Sequence, residues 1–220
     1  MKVFVISSQK GGVGKTTLTL NLGCAAASVA KNKVAVLDLD PQQSLTQWQK
    51  RRSALPDSAL RFPLRIQTLD RKDLLSALYD LKTADYTHVL IDMPPVKKQW
   101  MKTVFSAADL VVVPLKPSPF DMDSGFATYQ DVVGEHRPVC WVFNGVLPNS
   151  KLIRPVFNEI GKNMDVCRTV VHERVDFVMS AGGGESVLEY SPESKSAAEV
   201  LALWAELDAY PEIRIKHRFG

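Results

Sequence analysis

The chain has 220 residues, of which 45% are hydrophobic and 23% charged, with a formal net charge of +3. That length is compatible with one α/β domain burying a sizeable core, and so mild a charge neither demands nor excludes a nucleic-acid partner. No apolar run approaches the roughly 20 residues of a membrane span, no signal peptide precedes the first strand, and the isolated Cys24, Cys140 and Cys167 argue against a disulfide frame or paired-cysteine metal site and for a reducing cytoplasm.

Val3, Phe4, Val5 and Ile6 predict a short buried strand, and Leu18, Leu20, Leu22, Ala25, Ala26 and Val29 predict a helix with few polar positions. Between them lies Lys10-Gly11-Gly12-Val13-Gly14-Lys15-Thr16-Thr17. Strand, glycine-rich turn and helix form the setting of a phosphate-binding loop. Gly11, Gly12 and Gly14 let the backbone bend and point N–H groups at an anion, and the following helix adds its positive dipole end. Lys15 is placed to reach outer phosphates, and the Thr16 hydroxyl to ligate magnesium. The generic pattern also requires glycine at position 9, where this chain has Gln9, and a second lysine, Lys10, precedes the glycine pair.

A second apolar strand, Val34 to Leu37, ends in Asp38-Leu39-Asp40-Pro41-Gln42. Carboxylates at the carboxyl end of a strand stand where an α/β sheet places ligand chemistry. The alternative for Asp40 is a helix cap, since a helical run follows through Leu45 and Trp48. Residues 51–63 read as a helix end and loop; Leu64, Ile66 and Leu69 predict a short strand, and Leu74 to Leu81 a helix. His88 to Asp92 is another strand ending in an acid, followed by Met93-Pro94-Pro95. Asp92 there suits a magnesium site at a γ-phosphate. Lys97, Lys98 and Trp100 follow in a predicted surface loop. Further strands are expected over 110–115, 139–146 and 166–171, and helices from Pro119 to about Val133, around 152–160 and over 194–207. Asn144 stands near a strand end, where its amide can both donate and accept a hydrogen bond. The Asn144-Gly145 pair equally suits a turn.

The loop with its extra lysine resembles the deviant Walker A box of the ParA/MinD family of ATPases, and residues 38–42 resemble that family's switch I. Residues 92–95 are similar to its Walker B and switch II, and the resemblance extends over nearly the whole chain. It is nearest to small ParA-type partition proteins, with no helix-turn-helix domain expected before the loop. It implies a single P-loop domain over 1–220, a mainly parallel twisted sheet with helices on both faces in three α/β/α layers, and a short basic tail over 211–220. The implied cofactors are ATP and Mg2+. The implied roles are Lys10 acting across an ATP-state homodimer, Asp38 supporting the magnesium shell, Asp40 orienting the attacking water, and Asn144 reading adenine. The implied partners are non-specific DNA and a ParB-like or small adaptor protein, with the ATP form on the nucleoid. Arg174, Lys195, Arg214, Lys216 and Arg218 are the candidate DNA contacts. Two other readings come from the same superfamily: a MinD-like membrane positioner, against which the short tail argues, and a metabolic or metal-carrier ATPase, against which the missing cysteine pairs argue.

Overall fold

A computed structural model describes the backbone of residues 1–162 and 164–219, and their side chains except those of Asp57 and 211–219. The apolar runs become seven strands: β1 (Lys2–Ile6), β2 (Val34–Asp38), β3 (Leu64–Thr68), β4 (His88–Asp92), β5 (Leu110–Leu115), β6 (Val139–Val146) and β7 (Val171–His172). They form one sheet in the order β3-β2-β4-β1-β5-β6-β7, and every neighbouring pair is parallel. Between them lie α1 (Lys15–Ala27), α2 (Ser44–Arg52), α3 (Leu74–Thr83), α4 (Met101–Ser106), α5 (Pro119–Val133), α6 (Ile153–Ile160) and α7 (Val175–Gly183), followed by α8 (Val187–Tyr190) and α9 (Lys195–Phe219).

Alternate residues of each strand point to opposite faces, so continuous apolar runs feed two cores. Phe4, Ile6, Val36, Leu90 and Val112 meet α1 and α9 on one face. Val3, Val5, Leu37, Ile91 and Val113 meet α3, α4 and α5 on the other. The expected three layers are therefore present.

Strand register sets up the site. Ile6 and Asp38 both pair with Asp92, so β1, β2 and β4 end level. The loop after β1 and the acids ending β2 and β4 consequently share one rim, the carboxyl end of the sheet.

Two expectations need correction. The strand expected over 166–171 shrinks to a lone bridge between Trp141 and Val166 and the two-residue β7. Carboxylates of α9 explain this: Glu206 accepts the backbone N–H groups of Arg168 and Thr169, and Glu199 that of His172. The closing helix expected over 194–207 is longer, as α9 takes in the backbone of the basic tail. Helix α7 was not anticipated. It ends at Gly184, which has φ +82° and where a Cβ would strike the backbone of Arg51 and Arg52.

Candidate functional site

The loop between β1 and α1 turns on two left-handed glycines, Gly12 at φ +76° and Gly14 at φ +82°. A Cβ on Gly14 would also lie 2.5 Å from Asn144 Nδ2, so this position excludes a side chain twice over. Helix α1 starts at the next residue, aiming its free N–H groups into the loop. The buried Lys15 folds back under the loop, donating from Nζ to the Lys10 carbonyl at 3.1 Å. Burial lowers its pKa, and the charges of Asp92 and Asp40 only partly offset this. A lysine held in the curl of the loop, with few competing partners, is arranged to receive an anion.

Thr16 Oγ1 donates to Asp92 Oδ2 at 2.6 Å, and Thr19 Oγ1 lies 3.3 Å from Asp92 Oδ1. Burial pushes Asp92 up to about 7, against the Thr16 hydrogen bond. Asp38 is fully buried beside it; its Oδ1 accepts the Asp40 N–H at 3.0 Å, while Oδ2 has no hydrogen-bond partner. Burial raises the Asp38 pKa as well, with the backbone bond from Asp40 opposing it. Two buried carboxylates and a hydroxyl form a set of hard oxygen donors, and the orphaned Asp38 oxygen is a polar group waiting for a partner. Such a donor set fits a magnesium ion, which Thr16 and Asp92 would hold with Asp38 behind them.

Asp40 lies further out and is half-buried. Its Oδ1 accepts the Gln42 N–H at 2.9 Å, a local turn contact. It does not cap α2, whose first turn follows Gln43 with no side-chain cap.

Lys10 is not free. Its ammonium lies 2.7 Å from Asp121 Oδ2, and Asp121 is itself buried near the start of α5, where Ser118 Oγ also donates to it. Gln9, standing where the generic loop has glycine, donates from its backbone N–H to Thr128 Oγ1 and from Nε2 to Asp131. Helix α5 thus braces the outer limb of the loop. Neither Asp121 nor Thr19 is marked as a site residue by the sequence, because each reaches the loop or Asp92 only through the fold.

Asn144 Nδ2 donates to the Val13 carbonyl at 2.8 Å, tying β6 to the loop, and Gly145 after it has φ +64°. The turn geometry and the loop contact therefore coexist at this position. Of the candidate DNA contacts, Lys195 is exposed. Arg174 is not available as a free cation, because Glu199 holds it at 2.7 Å and also binds His172 Nδ1. The side chains of Arg214, Lys216 and Arg218 lie outside the described residues.

The model of the CobQ/CobB/MinD/ParA nucleotide binding domain matches residues 4–187. The chain belongs to that family. The match takes in the loop, Asp38, Asp40, Asp92, Asp121 and Asn144, and stops before Lys195. Maintenance of carboxysome distribution protein A of Gloeobacter kilaueensis is 39% identical over 122 residues, which are 55% of this chain and 52% of the relative. The chain thus spans about half the length of that family member. Sporulation initiation inhibitor protein Soj of Bacillus subtilis is 25% identical, with 94% of this chain and 98% of Soj covered. Among solved structures of this CobQ/CobB/MinD/ParA fold, the septum site-determining protein MinD of Pyrococcus horikoshii, complexed with Mg-ADP, superposes with a TM-score of 0.75. The superposition covers 97% of this chain and 98% of MinD at 20% identity. Among the described residues, no helix is long and apolar enough to cross a membrane.

Proposed function

We propose that this family member is a Mg-dependent ATPase whose ATP state is a homodimer, acting in DNA partition or in positioning another cargo. The observation that carries the reading is the level pairing of Asp38 with Asp92 beside the Thr16 hydroxyl, at the mouth of a glycine loop holding a buried lysine.

The chain's residues divide the work as follows. Backbone N–H groups of residues 11–17 and the Lys15 ammonium bind phosphate oxygens. Bound magnesium supplies charge neutralisation at the terminal phosphates. Asn144 holds the loop through Val13; its carbonyl oxygen, not used in that bond, serves as an acceptor for an adenine amine. Asp40 orients the attacking water after leaving the Gln42 N–H. Lys10 leaves Asp121 and neutralises phosphate charge in the partner's site, as a cation supplied in trans does in other phosphoryl transfers. Turnover is slow until a ParB-like or small adaptor protein stimulates it.

The dimer binds non-specific DNA through exposed Lys195 together with Arg214, Lys216 and Arg218, each duplicated by the dimer axis. Arg174, engaged by Glu199, is withdrawn from that set. The protein is then cytoplasmic and nucleoid-associated in its ATP state. Relatives named for carboxysome distribution and sporulation support a positioning or partition role.

The test is molar mass in solution with ADP, with ATP, and for Asp40→Ala with ATP, each with and without plasmid DNA. The expected result is a monomer with ADP and a trapped dimer that alone binds DNA, with affinity falling steeply as salt rises. A monomer in every nucleotide state overturns the switch. A dimer that ignores DNA overturns the choice of matrix.

A further inference from the structure

A cavity of about 720 Å³ opens at the amino ends of β2 and β3, the opposite end of the sheet from the glycine loop. That size suits a small organic ligand, for which roughly 300–1,000 Å³ is usual. Its apolar lining includes Val34 and Ile66, both buried, and the half-buried Phe62. Gln49, in the last turn of α2, adds a side-chain amide at the same wall.

The charges around it have one sign. Lys33 Nζ stands 4.7 Å from the centroid of the Tyr86 ring and the Arg65 guanidinium carbon 6.0 Å from it, so one ring gathers two exposed cations at the rim. Their other polar contacts are neutral: Lys33 donates to the Ala84 carbonyl at 2.7 Å, and Arg65 reaches Gln67 Oε1 at 3.4 Å. A third cation of the lining, Arg52, is already neutralised by Glu189. Among the described residues no carboxylate lines the cavity, and Asp85, next to Tyr86 in the chain, lines the neighbouring one beside Lys2 and His88. Two like charges with no acid between them raise the local potential, and an anion relieves it.

We infer that this cavity binds a small organic anion with an aromatic body, its acid group at Lys33 and Arg65 and its ring against Phe62 and Ile66. The unopposed charges select the acid. The apolar lining behind them selects the ring, because a bare inorganic ion would leave that lining facing water. The recess also favours a small molecule over a duplex, whose phosphates meet exposed cations without entering a cavity. The inference goes beyond the ATPase reading and stands without it, since the cavity and the glycine loop lie at opposite ends of the strands.

The probe is anilinonaphthalene sulfonate, an aromatic anion whose emission rises on binding, titrated into the full chain with and without Mg-ADP. The expected result is saturable binding that Mg-ADP leaves unchanged and that weakens at least about tenfold on the Lys33→Glu/Arg65→Glu variant. Melting curves and binding of a fluorescent ADP verify that the variant is folded with its nucleotide site intact. Naphthoate and naphthyl phosphate should both displace the probe, and the tighter of the two identifies the acid group as carboxylate or phosphate. Neutral naphthol and inorganic phosphate should not displace it. Displacement by naphthol as strong as by naphthoate, displacement by inorganic phosphate, competition by Mg-ADP, or an affinity unchanged by the charge reversal each overturns the inference. Displacement by duplex DNA but by neither naphthyl acid assigns the two cations to a duplex and overturns it too. Protein that binds the probe but no ADP refutes the proposed function alone; protein that binds ADP but not the probe refutes the cavity alone.

Discussion

The ammonium of Lys10 sits 2.7 Å from the carboxylate of Asp121, a buried acid on a helix 111 residues further along the chain. The residue proposed to act in a partner's site is thus held within its own subunit. Because the Lys10 side chain is 39% exposed, solvent screens the pair, and it is worth about 1 kcal/mol. Asp121→Asn should free Lys10 at small cost to folding and, because both subunits of the dimer are relieved, lower the protein concentration needed for the ATP dimer by roughly 30-fold. Sedimentation with ATP measures the midpoint; an unchanged midpoint shows that the pair does not restrain dimerisation.

Asp92 bears its charge at a cost, since burial pushes its pKa to about 7 and Asp38 lies alongside. Asp92→Asn keeps the shape and removes the charge. The nucleotide-free protein should melt about 2–4 °C higher, while the stabilisation by Mg-ATP disappears. Thermal melts with and without Mg-ATP test both halves. A variant that melts lower without ligand contradicts the charge-burial account.

Gly14→Ala should abolish nucleotide binding. The Cβ meets Asn144 Nδ2 at 2.5 Å, and the left-handed φ costs an alanine about 1–2 kcal/mol. Adding Asn144→Ala removes the clash but leaves the φ penalty and loses the bond to Val13. The double variant is therefore expected to recover only part of the lost affinity for a fluorescent ADP, and full recovery would show that Asn144 is the sole obstacle.

Arg52 and Glu189 form a buried two-pronged pair at 2.8 and 2.6 Å, joining α2 to α8. Burial would raise the Glu189 pKa, but hydrogen bonds from Arg52 and Ser186 bring it below its ordinary value. With the folded pKa below the unfolded one, the unfolded chain takes up the proton first. The pair's stability is therefore complete above the usual glutamate range and lost as pH falls through and below it. Glu189→Gln leaves Arg52 buried without its counter-charge and should cost about 3 kcal/mol at pH 7, less at pH 3. Urea midpoints at the two pH values test this, and an equal loss at both contradicts the linkage.

Much of the architecture was legible because it is written in adjacent residues. Apolar runs of four to six residues, each followed by a helical repeat, specify a parallel sheet. The segment over 166–171 misled because its apolar character matched a strand, while Glu206 and Glu199 of α9 accept the backbone donors a longer ladder would have used. Helix α7 escaped because its glycine-rich end hid a run that the close approach of Gly184 to α2, where a Cβ would clash, explains only in three dimensions.

The sequence by itself determined the glycine loop between β1 and α1, the acids at the ends of β2 and β4, and the layered fold, since each is written in runs of adjacent residues. The tertiary structure decided what those groups touch. The strand order sets α5 and the end of β6 beside the loop, so Lys10 meets Asp121 and Asn144 meets Val13 across more than a hundred residues. Such pairings follow from which strands lie side by side, and no local pattern of residues encodes that.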